Sequence, residues 1–491
     1  MRRNAETPIQ VVTLSLISHT NVGKTTLART LLRRDVGQVL DQAHVTEAAE
    51  SFELARTPGA VLRLWDTPGL GDSARLVKRL RSSGNPIGWF LHQVWDRRRD
   101  RPLYSSQQAI RNMKEEADVV LYLVNASEDP SEAGYVPHEM EMLAWIGKPV
   151  VVLLNQTGRE NEAERLAAWR DALAAWPLVR GIQPLDAFTR CWVQENLLLE
   201  NLAVLLPSET RPTMNGLAAS WLERNFEIFD HAAGAIARYL VRALQDGEPL
   251  AGQGISPGEK RRAMRLLAQR LDDATADLMD GLIESHGLSG RFRNEARERL
   301  REDFDLPGET AWTSGKTTLL GAAMGGAAGG ILADVAVAGL SFGTGAVAGA
   351  LLGAASAAGL RRGYQVVRAE REPRVRWARE FLDQLLAQSL LRYLAVAHFG
   401  RGRGEWGDVA TPERWREMLE TAMAAGGTTW SERVETARAG RGEPAAARTP
   451  LEDWIAAVLL RTLREAYPLA ADSATFRPRN RGDRGAEGGP G

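Results

Sequence analysis

Along the first 200 positions, short apolar runs alternate with amphipathic stretches. Residues 11–17 (VVTLSLI), 51–55, 61–65, 119–125, 149–154 and 179–185 are β-branched or aliphatic and bounded by turn residues, so they read as strands. Between them the apolar positions fall at helical spacing, as Leu27, Leu31 and Leu32 do. This alternation predicts an α/β domain built on a mostly parallel sheet with helices on both faces, whose ligands bind beyond the carboxyl ends of the strands. From about Met214 the period becomes helical throughout, as in "LAASWLERNFEIFDHAAGAIARYLVRAL" and "REFLDQLLAQSLLRYLAVAHF". An all-α domain is expected there.

Inside that second half, residues 317–360 carry a single charge, Asp334, and glycine recurs every fourth position at Gly321, Gly325, Gly329, then Gly339 and Gly343, and Gly345, Gly349 and Gly353. Small residues so spaced let helix backbones approach closely. Lys316 precedes the tract, and Arg361, Arg362 and Arg368 follow it. A hairpin entering a membrane with both ends on the cytoplasmic side fits this layout. Alanine and glycine supply little transfer energy, however, so a soluble, closely packed helical hairpin stands beside it.

Length and charge narrow the classes. A chain of 491 residues exceeds what one core usually serves, so two or more domains are expected. A net charge of −1 argues against a protein built to coat nucleic acid, and no GXXG-type RNA-binding module stands out. Cys191 is the single cysteine, which excludes an internal disulfide framework. "MRRNAETPIQ" has no apolar core of a secretory signal, so the cytoplasm is expected. The division expected is 1–206, 207–474 with the Gly/Ala hairpin at 317–360, and a disordered tail over 475–491, which contains "RPRNRGDRGAEGGPG".

The chemistry is concentrated at strand ends. "SHTNVGKTT" follows the 11–17 run and opens a helix, the context of a phosphate-binding loop, with Ser18 in place of the first glycine. That substitution is tolerable where the residue keeps a negative φ. In this P-loop NTPase reading the backbone around Asn21, Val22 and Gly23 cradles phosphates, Lys24 pairs with the β- and γ-phosphates, Thr25 gives its hydroxyl to Mg²⁺, and Thr26 adds to the helix N-terminus. "LRLWDTPGL" places Asp66 where a carboxylate reaches Mg²⁺ and Gly69 where an N–H senses the γ-phosphate. A second "SGKTT" at 314–318 lacks a strand before it and reads as chance.

Together "SHTNVGKTT", "DTPG" and "NQTG" resemble the motifs of the translation-factor-related GTPases, the Era and TrmE group above all. The chain is similar to bacterial GTPases in which an Era-like G domain precedes a long domain of unknown function. The resemblance implies GTP and GDP as ligands with Mg²⁺. It also implies Thr46 in "AHVTEAAE" as a switch threonine closing on the metal, Asn21 as a ligand of an activating K⁺, and a nucleotide-dependent dimer. Asn21 equally suits a loop-stabilising amide.

Two departures stand out. The guanine-reading aspartate is missing from Asn155-Gln156-Thr157-Gly158, and Asp186 in "PLDAFTR" is the substitute considered. Leu70 stands where Ras-like enzymes carry a water-orienting glutamine, so hydrolysis should be slow or assisted by K⁺ or a partner. The function implied is a GTP-hydrolysing switch on the cytoplasmic face of a membrane, acting on an unknown protein effector. The alternative is a catalytically weak nucleotide-binding scaffold, or a soluble interaction protein, with relaxed base choice.

An insertion, "GNPIGWFLHQVWDRRRDRPLY" over 84–104, puts Trp89, Phe90, Val94 and Trp95 within reach of one helix face, followed by Arg97, Arg98, Arg99 and Arg101. Such a face suits either its own domain or an anionic surface.

Overall fold

The computed structural model describes residues 9–20, 22–33, 49–81, 84–92, 101–156, 162–187, 190–250, 256–288, 364–367, 373–399, 412–425, 430, 432, 434 and 450–478. They fall into two compact units. One comprises residues up to Phe226 with 398–410 and 463 onward; the other comprises 227–397 and 411–462.

The first unit is built on six strands: β1 (Gln10–Ser18), β2 (Glu50–Thr57), β3 (Ala60–Asp66), β4 (Val119–Asn125), β5 (Val150–Asn155) and β6 (Val179–Pro184). Their order is β2-β3-β1-β4-β5-β6, parallel except for β2, which pairs antiparallel with β3 at one edge. Parallel strands covered on both faces read as continuous apolar runs, which is why the strand pattern was so plain in the sequence. On one face Val12, Leu14 and Leu16 pack with α1 (Lys24–Leu32), α7 (Trp192–Leu205) and the first turns of α8 (Arg211–Gln245). On the other, Ile17, Val120 and Tyr122 pack with α2 (Ser73–Leu80), α3 (Pro86–His92), α4 (Arg101–Glu115), α5 (Val136–Ile146) and α6 (Glu162–Leu173).

The insertion divides its aromatics. Phe90 is fully buried and joins the core cluster with Ile87, Leu103 and Met113, whereas Trp89 is 37 % exposed. Adjacent residues lie about 100° apart on a helix, so only one of the two faces the sheet. Val94, Trp95, Arg97, Arg98 and Arg99 lie outside the described residues.

In the second unit α8 continues to Gln245, followed by α9 (Pro257–Ser285), α10 (Arg379–Ala397), α11 (Pro412–Ala424) and α12 (Pro450–Ala466). Ser256 caps α9, accepting from the Glu259 N–H while the Glu259 side chain accepts from the Ser256 N–H, with Pro257 at the first helical position. The region is largely helical. Beside the expected helices it holds a small antiparallel sheet of β7 (Gly247–Pro249), β9 (Arg374–Trp377) and β8 (Tyr364–Val367). Strands of three or four residues are too short to leave a period of two. Arg270 on α9 ties this sheet down through Asp246 at 2.8 Å and Glu248 at 2.9 Å.

The Gly/Ala tract at 317–360 and its flanking Lys316, Arg361, Arg362 and Arg368, and the second "SGKTT", lie outside the described residues. Among the described residues no helix is long and apolar enough to cross a membrane. Order also reaches into the segment expected to be tail: Ala474–Phe476 form a 3₁₀ turn with Thr475 buried, because Glu200 on α7 accepts from the Ala474 N–H at 3.1 Å.

Candidate functional site

The loop between β1 and α1 begins at a strand end whose side chains are sealed in the sheet. Leu16 and Ile17 are fully buried, and Ser18 closes the strand without a positive φ. The loop turns at Gly23, whose φ of 98° lies in the left-handed region, so that α1 starts at Lys24. A Cβ at Gly23 would also stand 2.9 Å from the Asn155 side-chain nitrogen. The position therefore needs glycine twice over.

Lys24 folds back into the loop. Its Nζ donates to Ser18 Oγ at 2.9 Å, and that hydroxyl donates to the His19 carbonyl. Burial lowers the Lys24 pKa, opposed by the nearby carboxylates of Asp66 and Glu139. Thr25 Oγ1 donates to Asp66 Oδ2 at 2.7 Å, while Val22 and Thr26 are buried on either side.

Asp66 is the last residue of β3, in register with Leu16 of β1. Burial pushes its carboxyl above the ordinary carboxylate value, against the Thr25 hydrogen bond and the Lys24 charge. Its second oxygen, Oδ1, is buried and has no donor among the described residues. A hydroxyl joined to a carboxylate with one oxygen unsatisfied is a donor set that suits a hard, oxygen-loving cation such as Mg²⁺.

The loop after β3 is zipped to the end of β1. Thr67 Oγ1 donates to the Leu16 carbonyl at 2.8 Å, and the Leu70 N–H donates to the Ser18 carbonyl at 3.0 Å. This brings Gly69 so close that a Cβ there would lie 3.1 Å from Lys24 Nζ and 3.2 Å from Thr20 Cα. The Leu70 side chain points the other way and is fully buried with Ile17, Leu76 and Val77. It cannot orient a water molecule.

At the far end of the site Asn155 is fully buried and committed in both directions. Its Nδ2 donates to the Val22 carbonyl at 2.7 Å, and its Oδ1 accepts from the Ala187 N–H at 2.8 Å. Thr30 on α1 donates to the Ala187 carbonyl at 3.0 Å, so three loops meet at one side chain. Gln156 takes a left-handed φ of 55°, which turns the chain sharply after β5. Asp186 is buried in the turn after β6, between Leu185 and Ala187.

The structure thus brings together Val22, Gly23, Lys24, Thr25, Thr26, Asp66 and Gly69 at one end, and Asn155, Gln156 and Asp186 at the other. Asn21, Thr46, Thr157 and Gly158 lie outside the described residues. Sequence reasoning overlooked Glu139 on α5, whose carboxylate holds His19 and Tyr122. A glutamate in "HEMEML" carries no local sign that it faces inward.

Residues 13–156 match the family described as 50S ribosome-binding GTPase, and residues 170–452, over half the chain, match the one described as Domain of unknown function (DUF3482). No curated protein matches. Among solved structures, Era in complex with MgGDPNP and part of 16S ribosomal RNA is 18 % identical, over 53 % of this chain and 68 % of that one, with a TM-score of 0.32. An Aquifex aeolicus Era variant bound to GDP.AlF4- is likewise 18 % identical over the same shares, at 0.31. The FeoB G-domain from Methanococcus jannaschii is 19 % identical over 36 % of this chain and 87 % of that one, at 0.21.

Proposed function

The chain belongs to the DUF3482 family and carries a GTP-binding GTPase domain ahead of that family's own domain; from this we propose that it is a GTP-hydrolysing switch with a low intrinsic rate. The observation that carries the reading is the Thr25–Asp66 hydrogen bond, with Asp66 Oδ1 left without a donor among the described residues, beside the buried Lys24 ammonium. In this reading Lys24 pairs with the β- and γ-phosphates, and Thr25 and Asp66 hold Mg²⁺, joined by Thr46 when the first switch loop closes. The Gly69 N–H reports the γ-phosphate. A metal ion held there would neutralise charge on the phosphoryl oxygens.

Burial of Leu70 supports slow hydrolysis, because the residue after the Asp-x-x-Gly glycine has no polar group to offer water. The rate then depends on charge stabilisation, for which Asn21 and a K⁺ ion are our candidates. Asn155 shapes the base site, Gln156 and Asp186 line it, and guanine is the base. The helical domain is the reader of the nucleotide state, and the Gly/Ala tract attaches the protein to the cytoplasmic face of a membrane. The domains so assigned are 1–206, with its insertion at 84–104, and 207–474.

The test is direct binding of labelled GTP. Lys24→Ala abolishes tight binding in this reading, and unchanged affinity in that variant sinks it. Single-turnover hydrolysis in K⁺ and in Na⁺ then separates an enzyme from a scaffold: K⁺-stimulated turnover lost in Asn21→Ala supports the enzyme, and no phosphate release in either salt supports the scaffold. Carbonate-resistant pelleting of the full chain, lost on deleting 317–360, tests the membrane assignment.

A further inference from the structure

α9 presents an ordered row of charges that its own fold does not use. The helix is pinned along one side, where Met264, Leu267, Leu271, Leu278 and Leu282 are buried, and Arg270 ties it to Asp246 and Glu248. On the opposite side Arg261, Arg265, Gln269, Asp273 and Asp277 are all exposed. They recur at every fourth position, so they form one ridge along the helix surface. Its signs run plus, plus, neutral, minus, minus, and Arg262, also exposed, lies beside the two arginines.

Local helix energetics does not account for this order. Arg261 with Arg265 and Asp273 with Asp277 are like-charge pairs at i,i+4, an arrangement that destabilises an isolated helix. The signs also run against the macrodipole, which favours acids near the N-terminus and cations near the C-terminus. The last turn of α9 carries no basic residue, and Glu259, the acid of its first turn, is engaged in the cap with Ser256. Among the described residues Arg261, Arg265, Asp273 and Asp277 make no ion pair. Whatever offsets the repulsion within each half therefore comes from outside the helix.

We propose that α9 is a self-association surface, which meets α9 of a second copy of this chain antiparallel about a two-fold axis at Gln269. A two-fold contact must be self-complementary, each residue meeting the same partner in both directions. Reversal about Gln269 sets Arg265 against the partner's Asp273 and Arg261 against the partner's Asp277, and each pair then occurs twice. Ridges of every-fourth residues packing side by side give the commonest class of helix crossing. Charge complementarity chooses the occupant: a uniformly anionic partner fits the arginine half and is repelled by Asp273 and Asp277, whereas a second copy matches both halves. Among the described residues of α9 no large apolar side chain is exposed, so the contact is electrostatic, reversible and weakened by salt. It uses this helix alone and needs no nucleotide.

The experiment is sedimentation velocity of the full, nucleotide-free chain over a range of concentrations, in low salt and in about 0.5 M salt. The wild-type chain should dimerise in low salt and dissociate as salt rises. Two charge-reversed chains, Arg261→Asp/Arg265→Asp and Asp273→Arg/Asp277→Arg, should each associate about tenfold more weakly or less, because like charges then face each other. An equimolar mixture of the two should recover a dimer with one copy of each. All four positions are exposed on the helix, so neither variant disturbs the core. Gln269→Cys puts a thiol on the axis, so mild oxidation should join two copies covalently, and adding Arg265→Asp should suppress the product; the native Cys191 is buried and does not compete. A wild-type chain that is monomeric at every concentration in low salt overturns the proposal. So does self-association that neither reversal changes, and so does a mixture no more associated than its components. A monomeric wild type that binds heparin, with binding lost in Arg261→Asp/Arg265→Asp, assigns the ridge to an anionic partner and overturns the proposal as well.

Discussion

The two ends of the site differ in what their polar groups still lack. At the proposed phosphate end, among the described residues, Asp66 Oδ1 is buried without a donor, and Lys24, a three-hydrogen donor, bonds to Ser18 Oγ alone. At the proposed base end Asn155 is spent on the protein itself, holding the Val22 carbonyl and the Ala187 N–H. One end is unfinished and is stabilised by whatever completes it; the other is a closed clasp that sets the shape of the loops around it. A motif names the unfinished groups well, because phosphates and metal ions demand fixed residue types. In the proposed reading it says less about the base, because the clasp can be intact while the residue that reads the base has changed.

The far end of α1 is anchored by a buried ion cluster, where the largest effect is expected. Arg33, just past the end of α1, lies 3.5 Å from Glu195 Oε2, and Arg190 lies 2.6 Å from Oε1; all three side chains are buried. Burial, then the neighbouring Arg190, lowers the Arg33 pKa to about 10 despite Glu195. Glu195→Ala leaves two buried guanidinium groups without this carboxylate, which should cost about 3–5 kcal/mol. Urea unfolding measures it. A loss below about 1 kcal/mol would mean that α1 does not depend on this anchor.

Next in size is Gly23→Ala, the one change that strikes both ends. It forces a left-handed φ on a residue with a Cβ and pushes that Cβ against Asn155 Nδ2. The strain of about 1–2 kcal/mol and the disturbed buried hydrogen bond, about 1–3 kcal/mol, should together weaken nucleotide binding at least tenfold. Equilibrium binding of a fluorescent guanine nucleotide reads this. Binding within twofold of wild type would show that the clasp and the phosphate loop move independently.

How much of this was legible beforehand follows from the same physics. Strands buried on both faces announced themselves: the 11–17 run became Gln10–Ser18, and the 119–125 run became Val119–Asn125. Lys24, Thr25 and Asp66 were singled out by their spacing, and the fold brings them together at one strand end. What stayed hidden depends on partners distant in the chain. Glu139 meets His19 across 120 residues, and no local pattern marks an inward-facing glutamate on a helix. Phe90 and Trp89 read alike by composition, yet only the fold decides which one enters the core. The β7-β9-β8 sheet is too short to show alternation and joins residues more than 100 apart in the chain.

A smaller effect sharpens the phosphate end. Because burial raises the Asp66 carboxyl, the folded state binds this proton more readily than the unfolded chain, whose ordinary value is 3.8. Its contribution to stability therefore falls as pH rises from that value through the raised one. Asp66→Asn removes the charge but can keep an oxygen for Thr25. In the absence of nucleotide it should melt about 2–4 °C above wild type at pH 7, as ~1 kcal/mol would produce, while losing Mg²⁺-dependent nucleotide binding. The gap between variant and wild type should widen as pH rises across this window. A variant melting below wild type at every pH would mean that the Lys24–Asp66 attraction outweighs the burial.

The last effect concerns the proposed base end, where Gly158 stands in place of the carboxylate of the resembling motif. Hydrogen bonds to a charged group are worth about 1.5–3 kcal/mol, so losing that acceptor should reduce discrimination between guanine and adenine by one to two orders of magnitude. The closed Asn155 clasp still fixes the Ala187 N–H at the site, and Asp186 stands next to it in the same turn. If Asp186 supplies the missing acceptor, GTP should compete against a fluorescent guanine nucleotide better than ATP, and Asp186→Asn should narrow that preference about tenfold. XTP separates the two sources of selectivity, because xanthine carries a carbonyl where guanine carries its exocyclic amine. A site read by a carboxylate acceptor rejects XTP, and a site read by backbone alone tolerates it. Equal competition by ATP, GTP and XTP would show that the clasp shapes a base pocket with no reader in it.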